Sequence, residues 1–133
     1  MNKDRLNLLE SYMQSGLFPL LIENIPSTVF DNVVIIKANV DRVALNGHYE
    51  NIEFCPPEWY KELIEKSKKG PVILLIENIN EIALEEQTKF IEILKYKKVS
   101  TFDLPQNCLL VATCSDLSVH KINEEVYSLC AQI

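Results

Sequence analysis

Four short, almost wholly apolar runs constrain this chain more than any other feature: FPLLI (Phe18–Ile22), VVIIKA (Val33–Ala38), PVILLI (Pro71–Ile76) and CLLVAT (Cys108–Thr113). A strand with one face in water alternates apolar and polar residues. These runs do not alternate, and they are rich in β-branched residues and bounded by turn formers, so each reads as a strand buried on both faces. Helical patterns lie between them. The combination predicts an α/β fold, a three-layer sandwich around a mainly parallel sheet.

Two of the runs end in the same hexapeptide, LLIENI, as Leu20–Ile25 and Leu74–Ile79. The flanks differ (FPLLIENIPSTVF against PVILLIENINEIA), so an internal duplication is not indicated. Each copy is a buried run emerging into Glu-Asn. In parallel sheets, ligands bind beyond the carboxyl ends of the strands. The hexapeptide therefore reads as one structural edge made twice.

The helices are marked by spacing and punctuation. Leu6, Leu9 and Met13 place a helix over Asp4–Gln14, stopped by Gly16. In PPEWYKELIEKSKKG, Pro57 and Glu58 suit a first turn and Gly70 closes the helix, with Trp59, Leu63 and Ile64 as its stripe. One long helix is expected over Leu84–Lys97, with Leu84, Gln87, Phe90, Ile91 and Leu94 on one face. INEEVYSLC (Ile122–Cys130) is a short helix before the end. Residues 40–55 read as a turn at Asn46-Gly47 and an extended piece, and VSTFDLPQN (99–107) as a loop.

The 133 residues suit one domain, 1–133. The net charge of −6, from 19 acidic and 13 basic residues, weighs against a nucleic-acid partner. The two basic clusters, KSKKG and KYKK, fall late in helices, where lysine favours the dipole. No run approaches the about 20 apolar residues needed to span a bilayer, so no membrane partner is expected. MNKDRLNLLESYMQSG lacks the apolar centre of a signal peptide, which places the protein in the cytoplasm. Cys55, Cys108, Cys114 and Cys130 form no Cys-x-x-Cys pair, and neither His48 nor His120 stands at zinc-site spacing from them. Reduced, buried thiols are expected.

From Phe54 onward, about 80 residues, the chain resembles AAA+ ATPase domains, in particular the MoxR-like group. FCPPEW precedes a helix, PVILLIENINEI occupies the Walker B strand, and EEQTKFIEIL matches the helix after it. VSTFDLPQN resembles the following hairpin or loop, CLLVATCSD the sensor-1 strand, and INEEVYSLC the helix that ends in an arginine finger. The resemblance implies a P-loop NTPase-like core. It also shows what is missing. Where the phosphate loop should follow the first strand, the chain reads ENIPSTVFDN, with no Gly and no Lys.

The Walker B acidic pair is replaced by Glu77 and Asn78, and an amide cannot serve as a general base. Sensor 1 falls at Ser115, just after Thr113, and the finger position holds Leu129, which carries no charge. The helical lid is absent after Ile133.

The resemblance therefore implies a degenerate, non-catalytic AAA+-like domain acting through protein contact, with itself or with a larger AAA+ protein. Neither ATP nor Mg²⁺ is expected as a cofactor. A rival expectation is a metal-dependent enzyme using Glu23, Glu77 and Asp116, since each follows an apolar strand and oxygen ligands suit Mg²⁺ or Mn²⁺. A third is a remnant ATPase domain that still binds nucleotide. Trp59-Tyr60 is a candidate contact anchor, against the alternative that Trp59 packs its helix onto the sheet.

Overall fold

The four apolar runs are four parallel strands of one sheet, and residues near the end of the chain add a fifth. The computed structural model describes residues 3–118 and 120–133. Its elements are α1 (Lys3–Gln14), β1 (Leu20–Glu23), β2 (Val33–Lys37), α2 (Arg42–Asn46), β3 (His48–Glu50), β4 (Glu53–Cys55), α3 (Glu58–Ser67) and β5 (Val72–Glu77), in that order. There follow α4 (Leu84–Gln87), α5 (Ile91–Tyr96), β6 (Lys98–Val99), β7 (Phe102–Asp103), β8 (Cys108–Cys114), α6 (Glu124–Leu129) and β9 (Ala131–Gln132). The central order is β2-β5-β8-β1-β9, parallel throughout, and β3-β4 and β6-β7 are separate antiparallel hairpins.

The absence of alternation has the expected cause. On β5, Val72, Leu74 and Ile76 enter one core cluster with Trp59 and Leu63 of α3 and Val126 of α6. Ile73 and Leu75, from the same strand, enter a second cluster with Leu9 of α1. Both faces are buried, and each fully buried Leu or Ile contributes about 1.5–3 kcal/mol. The edge strand β2 differs. Its Val34 and Ile36 are buried while Ile35 is exposed, so only one face is fully covered. Helices on both faces of the sheet give the α/β architecture three layers.

The second face is covered in an unusual way. Parallel neighbours are ordinarily joined by a crossover of a dozen or more residues that includes a helix. Here nine residues, 24–32, carry the chain from β1 past β8 and β5 to β2. That segment buries Ile25 and Phe30 against the sheet beside α1. α1 and this short crossing, which holds a 3-10 turn at Ser27–Val29, thus form a layer that a helix after β1 would otherwise occupy.

Several expectations need correction. The helix expected over Leu84–Lys97 is interrupted by a 3-10 turn at Thr88–Phe90. The Thr88 hydroxyl donates to the Glu85 carbonyl at 2.6 Å, a local bond that competes with the regular ladder. The short helix expected before the end is present as α6, and after it Ala131 and Gln132 add a strand that pairs with Leu20 and Leu21. The turn expected at Asn46-Gly47 is the C-cap of α2, and the extended piece after it is a hairpin, β3-β4, that turns at Asn51-Ile52. VSTFDLPQN, expected as a hairpin or loop, does carry most of the β6-β7 hairpin, whose first strand begins one residue earlier at Lys98.

Trp59 is buried, and its Nε1 donates to the Leu45 carbonyl at 2.9 Å, so it packs α3 and is not an exposed anchor. Three cysteines are buried and reduced, whereas Cys55 is half-buried. No helix among the described residues is long and apolar enough to cross a membrane.

Candidate functional site

β8 lies between β1 and β5, so the carboxyl ends of these three strands form one continuous rim. Glu23 is level with Cys114, and Ile76 with Ala112. The two LLIENI copies are therefore the two walls of this rim. Each buried run ends in a half-buried Glu, and the Asn that follows turns the chain sharply. Asn24 and Asn78 both adopt the left-handed conformation, with φ of 53° and 58°. Asn is among the few residues enriched there, so the Glu-Asn ending is a strand exit that the sequence repeats for a backbone reason.

Each exit is pinned to β8. The Asn24 N–H donates to the Cys114 carbonyl at 2.8 Å, and the Asn78 N–H to Thr113 Oγ1 at 3.1 Å. Replacing Asn78 by Val should therefore destabilise the protein by about 1–2 kcal/mol, because a β-branched residue is penalised in this backbone region. Asn78→Gly should stay near the native value. Urea midpoints of the two variants check this. Equal midpoints would mean that the left-handed exit costs nothing.

The other rim positions are turned toward one another. Asn80 Nδ2 donates to Ser115 Oγ at 2.8 Å, and the Ser115 N–H donates to Asn80 Oδ1 at 3.0 Å. Glu23 Oε2 accepts from the Leu117 N–H at 2.8 Å. Asp116 Oδ1 accepts from the Ser118 N–H at 2.9 Å, and this bond holds the carboxyl below its ordinary value. Glu77 stands in register with Lys37 of β2, and its carbonyl accepts from the Ala38 N–H. Leu129, at the end of α6, is partly buried against the main core cluster. Asn80 was not singled out in the sequence, although it lies two residues past the Glu-Asn exit, on the chain that leaves the strand.

The carboxylates of Glu23, Glu77 and Asp116 do not assemble into a three-ligand group. Among the described residues, three metal-ligand atoms come within 4.8 Å of one another only at His48, Glu50 and Cys55, away from the rim. Two of the rim carboxylates are instead engaged by backbone N–H groups of the loop after β8.

The segment after β1 is where the resemblance places a phosphate loop. Phosphates are held by successive backbone N–H groups with a cation beside them. After β1 the first N–H is already donated to Cys114, Ile25 is buried in the core, and Pro26 has no N–H. The next N–H groups free to close a turn do so internally, Val29 to the Pro26 carbonyl and Phe30 to that of Ser27. The nearby guanidinium of Arg5 donates to the carbonyls of Glu23 and Ile133, at 2.5 and 3.2 Å. Of the first three positions after β1, Asn24 and Pro26 offer no free backbone N–H to a phosphate. No family model matches the chain, and no curated protein sequence matches it.

Proposed function

We propose that the chain is an AAA+-like domain of P-loop NTPase type that has lost its nucleotide chemistry and acts through protein contacts, with a second copy or with a larger AAA+ protein. Two things support the kinship. The strands to which the resemblance assigns the phosphate loop, Walker B and sensor 1 are β1, β5 and β8, and these are neighbours with β8 in the middle. Their carboxyl ends face a common rim, as a shared site requires.

One observation carries the loss of chemistry: the rim's polar groups satisfy each other. Asn78 bonds Thr113, Asn80 and Ser115 bond reciprocally, and Glu23 is held by the loop after β8. Asn78 supplies no base and Leu129 no charge. The net charge of −6 weighs against a nucleic-acid partner, and in the first basic cluster Lys66 and Lys68 pair with Glu62 and Glu65 of α3. The cytoplasm is the proposed location.

Thermal unfolding with millimolar Mg-ATP, Mg-ADP or Mn²⁺ tests the reading. A ligand at a hundred times its Kd adds about 2.7 kcal/mol to stability, enough to raise the midpoint by several degrees. No shift is expected from either nucleotide. A shift with Mg-ATP or Mg-ADP would overturn the proposal and restore a nucleotide site. Sedimentation of the protein alone, and with candidate AAA+ partners, then reads the contact.

A further inference from the structure

The hairpin β3-β4 has two chemically distinct faces. Its register pairs His48 with Cys55, Tyr49 with Phe54, and Glu50 with Glu53. Opposed residues share a face and successive residues alternate. Tyr49 and Phe54 therefore lie on one side, and His48, Glu50, Glu53 and Cys55 on the other.

The aromatic side attaches the hairpin to the rest of the fold. Tyr49 meets Phe54 edge-on at 5.2 Å, Phe54 stacks on Phe102 of β7 at 5.3 Å, and Phe102 contacts Tyr60 of α3 at 5.9 Å. The Tyr60 hydroxyl donates to the Asp103 carbonyl at 2.8 Å. At the start of the hairpin, Gly47 adopts φ 79° and ψ −173°, a region open essentially only to glycine. A Cβ there would stand 2.6 Å from the Cys55 carbonyl oxygen. The strand ends that carry His48 and Cys55 are thus held close together.

The opposite side presents an imidazole, a thiol and a carboxylate. His48 Nε2 lies 3.3 Å from Glu50 Oε1, and the ligand atoms of His48, Glu50 and Cys55 all lie within 4.8 Å of one another. In a tetrahedral zinc site, bond lengths near 2.0–2.3 Å place the ligand atoms about 3.5 Å apart. Small side-chain adjustments on a fixed hairpin close the difference. We propose that this face binds a divalent transition-metal ion, zinc above others, through His48, Glu50 and Cys55, with water or Glu53 completing the coordination.

The ligand set selects the metal class. Thiolate and imidazole favour zinc and its neighbours, whereas Mg²⁺ and Ca²⁺ prefer oxygen ligands alone. The effect on the fold follows from the hairpin's size. An isolated two-stranded hairpin is marginal in water, and these strands have three residues each. A metal bridging His48 and Cys55 would clasp their open end. The site is independent of the rim and of the AAA+ reading.

Titrating the metal-free chain of 133 residues with Co²⁺ tests this, because cobalt–thiolate bonding gives a near-ultraviolet charge-transfer band and tetrahedral sites give visible bands. The expected result is one equivalent bound, with both signatures and displacement by Zn²⁺. Cys55→Ser should abolish the charge-transfer band. His48→Ala and Glu50→Gln should each weaken binding at least about tenfold, as loss of even an outer-sphere partner can do. All three positions are exposed or half-buried, and circular dichroism establishes that each variant is folded. Cys108, Cys114 and Cys130 are buried and cannot substitute. A charge-transfer band that survives Cys55→Ser would overturn the proposal. So would binding without any thiolate band, or no binding at millimolar Co²⁺.

Discussion

Replacing Gln87 by Leu is expected to lower the free energy of unfolding by about 3 kcal/mol, although the two side chains are of similar size. Gln87 is fully buried. Its Nε2 donates to the carbonyls of Ile82 and Lys121, at 3.2 and 2.9 Å, and its Oε1 accepts from the Asn123 N–H at 2.7 Å. Leucine leaves all three backbone groups without that partner, and an unmade bond at a buried polar group costs about 1–3 kcal/mol.

The damage reaches α6, because Asn123 is its N-cap. The Asn123 side chain accepts from the N–H groups of Glu125 and Val126 and donates to the Leu84 carbonyl. Gln87→Met should behave like Gln87→Leu, which separates lost hydrogen bonds from lost volume. Urea unfolding reads both variants. A change below about 1 kcal/mol in each would mean that the network adds little to stability.

Gln87 also shows where sequence reading succeeds and where it stops. Helical spacing placed it on one face with Leu84, Phe90, Ile91 and Leu94; Leu84, in the first turn, is exposed, whereas Phe90, Leu94 and Gln87 itself are buried as that face requires. Spacing could not reveal that its amide would join three segments, since Lys121 and Asn123 are brought there only by the chain's return through β8. The strands were legible for a simpler reason. A run such as Val72–Ile76, apolar at every position, needs cover on both sides, and a parallel sheet between helices provides it. The order of the strands was not legible. It depends on the crossing at residues 24–32, which carries neither helical nor alternating periodicity. β9 has two residues and exists because β1 leaves an edge open for it, a tertiary cause with no local signal.

The rim was half legible. A buried run ending twice in Glu-Asn indicated a repeated edge, and the left-handed Asn24 and Asn78 supply its physical basis. The three acidic residues looked equivalent because each follows an apolar strand. Their carboxylates diverge because the loop after β8 folds back and offers N–H groups to Glu23 and Asp116. The hairpin face was invisible for a different reason. Zinc-site spacings describe ligands close along one segment, whereas His48 and Cys55 are seven residues apart and meet only through antiparallel pairing. Elements of three to five residues, such as α2, β3 and β4, are too short for periodicity to identify.

Alkaline pH is expected to unfold this protein largely through its buried cysteines. Burial pushes the thiols of Cys108 and Cys114 up to about 11 and that of Cys130 to about 12, from an ordinary 9.0. A folded-state pKa above the unfolded one means that the unfolded chain releases protons that the folded chain retains. The stabilisation is fully present below about pH 9 and is lost as pH climbs toward 11–12. Each thiol contributes at most about 1.4 kcal/mol per pH unit between its unfolded and folded values, so the three together approach about 4 kcal/mol per unit only near pH 10, and above about 11 Cys130 alone still contributes. Typical domains hold only about 5–15 kcal/mol in all.

Tyr60, raised by burial and then by Asp103, acts in the same direction. Lys89 acts oppositely: burial lowers its pKa, so the unfolded chain binds the extra proton and stability gains as pH rises toward 10.5. Comparing the wild type with a Cys108→Ala, Cys114→Ala, Cys130→Ala triple variant isolates the thiols from these other groups. The wild-type stability should fall steeply above pH 9, while the variant, less stable near neutrality because of the small cavities, should show a much shallower slope. Parallel slopes would mean that the thiols ionise as readily inside the fold as in the unfolded chain, which burial among Leu74, Ile76, Leu110 and Val126 forbids.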